Sequence, residues 1–510
     1  MKRTSIQPKQ MIQKTGKRIL WWSLSFTLLI LGSTPLTAQK TLKLEEAMNI
    51  AIKNSPQIMQ SELNMTVSRE NLKAQEAATK SLFKFQFTPF YYDQNRSFNN
   101  LFSTWNTNET KKIYGDFIVS QPILPTDGRI TLQNHLEYQD AFSDYNNSRN
   151  KGYNNNLFLK YSQPIFTYNK LKMDINQLKL ALQDATLRYS IQRLTLEKQV
   201  SEFFYRVYQV QMSLVIAQEE LKNRQISYDI IKSKVEGGLS AKEELFQAEL
   251  NLATSKSNVQ NKQVELDNAK DQFRQYIGLP LNDEFDIIAD TSFNKVSVDP
   301  LKAIQNGLEM RMELKQRQIS IENSYNDLTR AKATNEFAGS VDLSVGLFGE
   351  NAKFPQMYDH PTRSPRVEVT FNIPIYDWGE RKSRIKAAEA SIKIQEINME
   401  TERTDIEIGI RKSYRNLQNL DLQIEIAKQN ERNAQLTYEI NLERYKNGDL
   451  TGMDLNLFQN QLSEKKMNLT NSLIDYKLEL LNLKIQSLWD FEKNSSFVPV
   501  EVQENVEKTK

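Results

Sequence analysis

The 510-residue chain contains no cysteine, and it contains only two histidines, His135 and His360. The lack of cysteine excludes disulfides, thiolate metal sites, cysteine nucleophiles and a lipid anchor on an N-terminal cysteine. Neither histidine has a companion ligand in its predicted strand or loop, and the sequence has no phosphate-binding loop and no zinc-helix motif. We therefore predict that the chain has no metal site and no cofactor, and that it is not an enzyme.

Long apolar runs are missing after the first 38 residues. Residues 1–38 hold six basic residues, an apolar run from Ile19 to Leu31 and the small residues Thr37 and Ala38, which is the layout of a secretory signal peptide cleaved near Ala38. The alternative is a membrane anchor, but these thirteen mixed residues are short for a helical span. Downstream no apolar stretch approaches 18 residues, so an exported chain of this kind would enter a membrane only as a β-barrel.

The chain also lacks a large excess of one charge. It has 66 basic and 63 acidic residues, and 60 basic residues are left when the six at the N-terminus are set aside. The charges are interspersed, as on solvated helix faces. This balance gives no support for a nucleic-acid partner.

A repeat at a constant offset relates the two halves of the chain. Residues 161–166 are echoed by residues 371–376, which is an offset of 210. Further pairs at this offset are Phe204 and Tyr414, Gly238 and Gly448, and Leu252 and Leu462. Residues 42–58 match residues 298–314 at an offset of 256, so the first half holds an insertion of about 46 residues, between about residues 90 and 155.

In each half the sequence predicts, in order, a helix, strands, a very long helix, a tight turn and a second long helix. We predict a signal peptide at 1–38, a first structural repeat at 39–290, a second at 291–490 and a polar, disordered tail at 491–510. The first repeat contains four strands, including an inserted hairpin, and the second contains two.

Breaker-free stretches predict the long helices. Residues 168–236 contain no glycine or proline, and residues 380–447 contain only Gly409. Apolar residues from Val200 to Leu221 step by three and four, which is typical of a coiled-coil seam. Both stretches end in glycine-containing turns and are followed by breaker-free helices at 241–277 and 453–493. Two antiparallel helical hairpins with exposed tips follow from this pattern.

The strand segments alternate apolar and polar residues, as in residues 83–88, 130–138, 341–347 and 367–375. Strands of about ten residues with one apolar face are typical of a membrane barrel. A soluble, half-buried sheet has the same alternation, but the export signal and the aromatic strand ends favour the membrane. Polar stretches at 93–111, 143–152 and 349–364 are predicted to be outer loops, and residues 124–129 a tight periplasmic turn.

Six strands are too few to enclose a channel, because bacterial barrels begin at eight. The chain must therefore combine with copies of itself. Three protomers would supply about 18 strands, or about 12 if the inserted hairpin, at about 113–142, stays outside the wall.

In its repeat, in the Gln-Pro-Ile strand end before a long helix and in the spacing of its glycine tips, the chain resembles the TolC-like outer-membrane efflux proteins over residues 41–490. The resemblance implies a mixed fold, a membrane β-barrel joined to a long α-helical coiled-coil barrel and closed by trimerisation. It also implies an outer-membrane exit duct, extending into the periplasm, for efflux or type I secretion. The implied partners are outer-membrane lipid, a periplasmic adaptor and an inner-membrane transporter. Since the pump usually selects the substrate, drugs, metals and proteins all remain open.

The resemblance also suggests functional residues at the helical tips. Glu244 and Asp454, each six residues after a tip glycine, are expected to form acidic rings at a periplasmic aperture, and Tyr445 to brace its closed state by a hydroxyl hydrogen bond. The alternative is that both acids serve only the first turn of a helix, and that Tyr445 belongs to a coiled-coil seam. An arginine of the family's gate is replaced here by Leu450. The expected adaptor contacts are Gly237, Gly238, Leu239, Ser240, Asn447, Gly448, Asp449, Leu450 and Thr451, with Leu239 and Leu450 as exposed apolar tips.

Two other functions compete with an export duct. A trimeric coiled-coil structural or adhesive surface protein would not need strand blocks that interrupt both helix pairs symmetrically. A soluble periplasmic adaptor would lack two-faced strands long enough to cross a bilayer.

Overall fold

The computed structural model describes residues 40–499. The predicted signal peptide and residues 500–510 of the predicted tail lie outside the described residues. The helices are α1 Leu44–Asn54, α2 Pro56–Ala78, α3 Lys170–Glu236, α4 Lys242–Ile277, α5 Pro300–Met310, α6 Met312–Ala333, α7 Glu380–Asn447 and α8 Gly452–Ser487. The strands are β1 Lys40–Leu42, β2 Leu82–Asn99, β3 Thr104–Ile123, β4 Gly128–Ser143, β5 Ser148–Ile165, β6 Phe285–Ile287, β7 Ala338–Asn351, β8 Thr362–Asn372, β9 Trp489–Asp490 and β10 Ser495–Ser496.

The helices of the two halves match in length. The long helices α3 and α7 have 67 and 68 residues, and α4 and α8 have 36 each. The shorter helices agree as well, with 11 residues in α1 and α5, 23 in α2 and 22 in α6. At 1.5 Å per residue each long helix extends about 100 Å.

Local chemistry sets the start and the end of α3. The side chain of Asn169 caps the first turn by accepting a hydrogen bond from the Lys172 amide over 2.8 Å. At the other end Gly237 follows the helix, and Gly238 takes a left-handed conformation with φ of +72°. A left-handed residue after a helix turns the chain back, which lets α4 run antiparallel to α3.

The long helices pack side by side in the order α4, α3, α8, α7. Halfway along α3, one buried cluster around Phe204 and Phe273 joins α3 and α4 to α1. A second, around Ile410 and Tyr476, joins α7 and α8 to α5. The helices α1 and α5 thus pack at the middle of the long helices. From there α2 packs along α3 and α6 along α7 towards the sheet, and α4 and α8 occupy the half that reaches the tips.

The six long strands form one continuous antiparallel sheet in the order β2-β3-β4-β5-β7-β8. The inserted hairpin, which we predicted at about 113–142, is the pair β3–β4 and runs from Thr104 to Ser143. It lies inside the sheet, between β2 and β5, and does not stand apart from it.

The two faces of this sheet differ in polarity, and the apolar face is the exposed one. Phe85 and Val367 are 69% and 72% exposed on the apolar face. On the other face the side chains of Asp116 and Glu137 are only 14% and 8% exposed. A sheet in a soluble protein buries its apolar side chains, so this arrangement is reversed. The polar side chains of β3, β4 and β5 shield one another through hydrogen bonds and ion pairs across the strands.

Three sequence-based expectations were wrong in detail. The polar stretches predicted as long loops continue the strands, because the β-ladders extend to Asn99–Thr104 and to Ser143–Ser148. The last helix ends at Ser487 and not at Lys493, because Leu488 is left-handed. The predicted disordered tail is ordered from residue 491 to residue 499: β10 pairs with β9, and Phe497 and Val498 pack onto the cluster that contains Leu488.

None of the helices within residues 40–499 has an apolar stretch long enough to cross a membrane.

Candidate functional site

The tips of the two helical hairpins are held together by a small apolar core. Its buried members are Ile231, Tyr438, Tyr445, Leu455 and Leu462, which come from α3, α7 and α8. Leu245 of α4 packs against it, so all four long helices contribute. We call this set the tip core.

Tyr445 joins the two hairpins through its backbone and its ring. It is only 2% exposed. Lys234 of α3 donates a hydrogen bond from Nζ to the Tyr445 carbonyl oxygen over 2.6 Å, and the same ammonium lies 4.8 Å from the centre of the Tyr445 ring. We expected the Tyr445 hydroxyl to make the contact between hairpins, but here the backbone and the ring make it.

The environment of Tyr445 keeps its phenol neutral. Burial in the tip core raises the pKa of Tyr445 to about 12, and the nearby carboxylate of Glu244 acts in the same direction. Both effects disfavour the phenolate. The burial of Tyr445 agrees with the interpretation of it as a structural residue of the seam, and its role in bracing a closed aperture stays a prediction.

A buried arginine provides a second polar link between the hairpins. Arg224 of α3 donates hydrogen bonds to Asn456 and, over 2.8 Å, to Asn460, and both asparagines lie on α8. Its guanidinium also pairs with Glu220 over 3.2 Å. The side chain is only 9% exposed. A charged group so far removed from water is stable only while these partners remain in place.

Sequence reasoning missed Arg224, although a signal was available. The apolar seam of α3 ends at Leu221 in our prediction, and the next step of three residues falls on Arg224. Extending the seam by one step would have placed a cation on the buried face of the helix. A buried charge in that position needs a polar partner on the helix across the seam.

Glu244 and Asp454 both lie in the first turn of the helix that follows their turn, where each carboxylate accepts a hydrogen bond from a hydroxyl. Ser240 donates a hydrogen bond from Oγ to the Glu244 carboxylate over 2.6 Å, and Thr451 donates one to the Asp454 carboxylate over 2.7 Å. The Thr451 hydroxyl in turn accepts from the Asp454 amide over 3.2 Å. These contacts agree with the structural interpretation of the two acids, as first-turn residues favoured by the helix dipole.

Glu244 and Tyr445 also line the same groove, whereas Asp454 does not. The groove has a volume of about 470 Å³ and lies between α3, α4 and the start of α8. Arg224 and Met453 form other parts of its wall. The structure therefore brings two of the three predicted aperture residues together within one protomer and leaves Asp454 exposed on the adjacent helix turn.

The two turns differ in how they present their leucines. Leu239 is 83% exposed, as predicted. Leu450 was also predicted to be an exposed tip, but it is half-buried against the tip core because the turn after Gly448 folds it back towards α7 and α8. Met453, which we did not single out, is exposed beside it. The remaining predicted tip residues, with Gly448 at φ of +91°, lie in the turns or next to them.

The outer flanks of the four-helix unit carry apolar side chains with no cover in one protomer. On α7 the exposed residues Ile394, Ile408, Leu422 and Leu436 follow one another at intervals of 14, which is two heptads. On α4 Leu250 and Val264 are exposed with the same interval. A stripe at this period is typical of a helix that packs against another helix.

No group of three or more histidine, aspartate or glutamate side chains that could hold a metal occurs within residues 40–499.

Comparison with known proteins identifies relatives of this arrangement. The family model described as "Outer membrane efflux protein" matches residues 129–279 and 303–484. The outer membrane protein TolC of Escherichia coli is 25% identical over 376 residues, which cover 71% of this chain and 74% of that protein.

Two solved structures have the same fold. The CmeC outer membrane channel of Campylobacter jejuni superposes with a TM-score of 0.67 at 13% identity, covering 99% of this chain and 98% of that one. The outer membrane protein VceC of Vibrio cholerae superposes with a TM-score of 0.64 at 12% identity, covering 89% of this chain and 96% of that one.

Proposed function

The chain belongs to the outer membrane efflux protein family, and on that premise we propose that three copies of it form the exit duct through which an inner-membrane pump and a periplasmic adaptor export their substrates. Membership confirms the predictions that the protein resides in the outer membrane, extends into the periplasm and is a transport conduit without enzymatic activity. The mixed content of long helices and strands agrees with the predicted fold class.

The observation that carries the proposal is the reversed polarity of the six-stranded sheet. Its exposed face presents Phe83, Phe85 and Val367, and its shielded face presents carboxylates, amides and a histidine. In water this arrangement would be costly, since apolar area is worth about 25 cal/mol per Å². In a bilayer the same arrangement places apolar groups against lipid and polar groups around an aqueous lumen.

Two kinds of surface that are uncovered in a single protomer support assembly into a closed ring. The sheet ends in two strands, β2 and β8, whose outer edges have no strand partner among residues 40–499. An open edge is not tolerated in a bilayer, because every backbone group there needs a hydrogen bond. The flanks formed by α4 and α7 carry the apolar stripes described above. A ring of protomers satisfies both requirements at once, with β2 pairing to β8 and α4 packing against α7 of the next copy.

The tips are the proposed aperture and docking surface. Three copies of the tip core would narrow the duct, with Glu244 and Asp454 supplying acidic rings that attract cations. The adaptor would contact the turns, where Leu239 offers an apolar side chain at the end of a charged hairpin. Contacts between Lys234 and Tyr445 and between Arg224 and α8 would hold each protomer in its closed arrangement.

Reconstitution in planar bilayers tests this function. Protein extracted from outer membranes with mild detergent should give discrete ion-conducting steps, and detergent alone is the control. A preparation that binds the bilayer without conducting would contradict the proposal. It would favour the structural or adhesive surface protein, which has no need of a lumen.

A further inference from the structure

Two strands of the sheet end in the same four residues. Ser120–Ile123 at the end of β3 and Ser162–Ile165 at the end of β5 both have the sequence Ser-Gln-Pro-Ile, at an offset of 42 residues. A third strand, β8, is followed by Pro374 and Ile375. The strands β5 and β8 lead into the long helices, so this signature marks the end of the wall next to the helices.

The two glutamines of the signature make equivalent hydrogen bonds. Gln121 donates from Nε2 to the carbonyl of the next residue, Pro122, over 2.6 Å and to Thr79 over 2.9 Å. Gln163 donates to Pro164 over 2.7 Å and to Thr126 over 2.7 Å. Thr79 lies just before β2, and Thr126 lies just before β4. Each glutamine therefore ties the end of its own strand to the start of the strand before it.

The pairing register repeats in the same way. In the pair β2–β3, Leu82 is opposite Ser120 and Phe83 is opposite Val119. In the pair β4–β5, Arg129 is opposite Ser162 and Ile130 is opposite Tyr161. In both comparisons the residue of β4 follows its counterpart in β2 by 47 positions, and the residue of β5 follows its counterpart in β3 by 42. The two pairs are thus alike in sequence, in hydrogen bonding and in register.

The turn between β3 and β4 is fastened to the junction of sheet and helices. The Asp127 carboxylate accepts hydrogen bonds from the amides of Lys170 and Leu171, the first two residues of α3, over 3.2 and 3.3 Å. Asn169 donates from its side chain to the Leu124 carbonyl over 2.7 Å. The turn therefore lies at the level where the strands of the sheet end. A hairpin outside the barrel wall would not need these contacts with the start of α3.

Cross-strand contacts on the shielded face extend through this hairpin. Asp116 of β3 accepts from Gln133 over 3.1 Å and contacts His135 over 2.8 Å. Glu137 of β4 pairs with Lys112 over 3.1 Å and accepts from Asn154 of β5 over 3.2 Å. This network has the polarity of a lumen lining and is continuous from β3 to β5.

We infer that β2–β3 and β4–β5 are two copies of one structural unit, a hairpin stave, and that β7–β8 is the third stave of each protomer. The inference rests on the proposed trimeric duct, in which three copies of six strands give a wall of 18. Two staves per protomer would give 12, and barrel diameter grows roughly linearly with strand number, so the third stave widens the exit by about half. An 18-stranded barrel leaves an aqueous channel, so the exit suits bulky hydrophilic solutes and the helical tips restrict passage.

Fluorescent probes on single cysteines test whether the extra stave lies in the wall, and the natural chain has no cysteine to interfere. Leu132→Cys places a probe on the apolar face of β4. Val345→Cys on β7 is its control, because Leu132 and Val345 lie on either side of Leu159 of β5, each directly opposite it. Thr131→Cys and Ser344→Cys form the matched pair on the polar face, because both residues are directly opposite Lys160 of β5. The labelled proteins are reconstituted and quenched either by brominated lipid or by aqueous iodide.

The expected result is that brominated lipid quenches the probes at 132 and 345 equally, and that iodide quenches those at 131 and 344. Iodide quenching at both 131 and 132, with normal controls on β7, would show that the hairpin is outside the wall and would overturn the inference while the proposed duct stands. Failure of the β7 controls would instead contradict the membrane wall itself, and with it the proposed function.

Two deletions test the duplication independently. Removing residues 114–155 takes out 42 residues and joins Ile113 to Asn156, which keeps the alternation of faces and one complete stave. Removing residues 114–156 takes out one more and inverts every side chain beyond the junction. The first variant should still assemble in outer membranes as oligomers and the second should not. Equal behaviour of the two would contradict the duplication.

Discussion

Lys234 of one helical hairpin donates a hydrogen bond to the Tyr445 carbonyl of the other at the tips, with 2.6 Å between the ammonium nitrogen and the carbonyl oxygen. The lysine lies in the last turn of α3 and the tyrosine in the last turn of α7. A cation at the end of a helix is favoured by the exposed carbonyls there. In this case the lysine of α3 donates to a carbonyl of α7, and this contact couples the two turns.

Replacing Lys234 with alanine should loosen the tips. The variant loses a charge-assisted hydrogen bond, which is worth about 1.5–3 kcal/mol, and the ring contact with Tyr445. We expect larger or longer openings in single-channel recordings. Lys232→Ala, on an exposed position of the same turn, is the control and should leave the openings unchanged. Identical recordings from the two variants would remove Lys234 from the gate.

Arg224→Ala should lower stability as well as loosen the tips. It leaves the half-buried Asn456 without its donor, at a cost of about 1–3 kcal/mol for an unsatisfied group, whereas water can solvate the exposed Asn460. The melting temperature should fall relative to wild type, whereas Lys222→Ala, at an exposed position on the same helix, should not change it. A melting temperature equal to that of wild type would show that water replaces the arginine without penalty.

The charge of Asp454 can be separated from its hydrogen bonds with the helix cap Thr451. Asp454→Asn keeps an acceptor for the Thr451 hydroxyl but removes the charge, and Thr451→Ala removes the cap but keeps the charge. If an acidic ring lines the aperture, Asp454→Asn should reduce cation selectivity in reversal-potential measurements and Thr451→Ala should not. The opposite pattern would leave Asp454 with only a structural role in the first turn of α8.

Alkaline pH should weaken the tips through Tyr445. Its pKa in the folded protein is about 12 against an ordinary value of 10.0, so the neutral phenol contributes stability that is fully present below pH 10 and is lost as the pH rises towards 12. Tyr445→Phe removes this titration while other tyrosines remain in both proteins. The melting temperature of the wild type relative to the variant should therefore fall between pH 9 and 12, and a constant difference would contradict the assignment.

Leu239 is the side chain through which adaptor docking is tested most simply. Leu239→Asp places a charge on the most exposed apolar position of the turns without disturbing the tip core, since Leu239 is not a member of it. Crosslinking to the adaptor in cells should decrease while the amount of protein in the outer membrane stays the same. Phe246→Asp, on an exposed position of α4, is a control further from the turn. Undiminished crosslinking of Leu239→Asp would place the docking surface elsewhere.

The sequence contained most of the architecture because its elements are long and periodic. The absence of breakers from residue 170 to residue 236 predicted α3 to within two residues, and the alternation at residues 130–138 predicted β4. Strand limits were less accessible, since polar stretches such as residues 93–99 carry no apolar period and are held in the sheet by pairing with β3. The tail from residue 491 was missed because its packing depends on Phe497 returning to a cluster distant in sequence.

Functional residues were harder to predict than elements. Glycine spacing located Glu244, Asp454 and Tyr445 in the tip region, but the side chains that link the hairpins there are Lys234 and Arg224. Charged residues on a long helix are usually solvated, and only the three-dimensional placement of α8 against α3 distinguishes Arg224 from its exposed neighbours. Likewise Leu450 has the same turn context as Leu239 and yet folds inwards.

The central claim is that copies of this chain close a duct in the outer membrane, and the mass of the extracted particle tests it most directly. Protein solubilised from outer membranes and measured by native mass spectrometry should have the mass of three mature chains. A monomer recovered from the soluble periplasmic fraction would contradict the account.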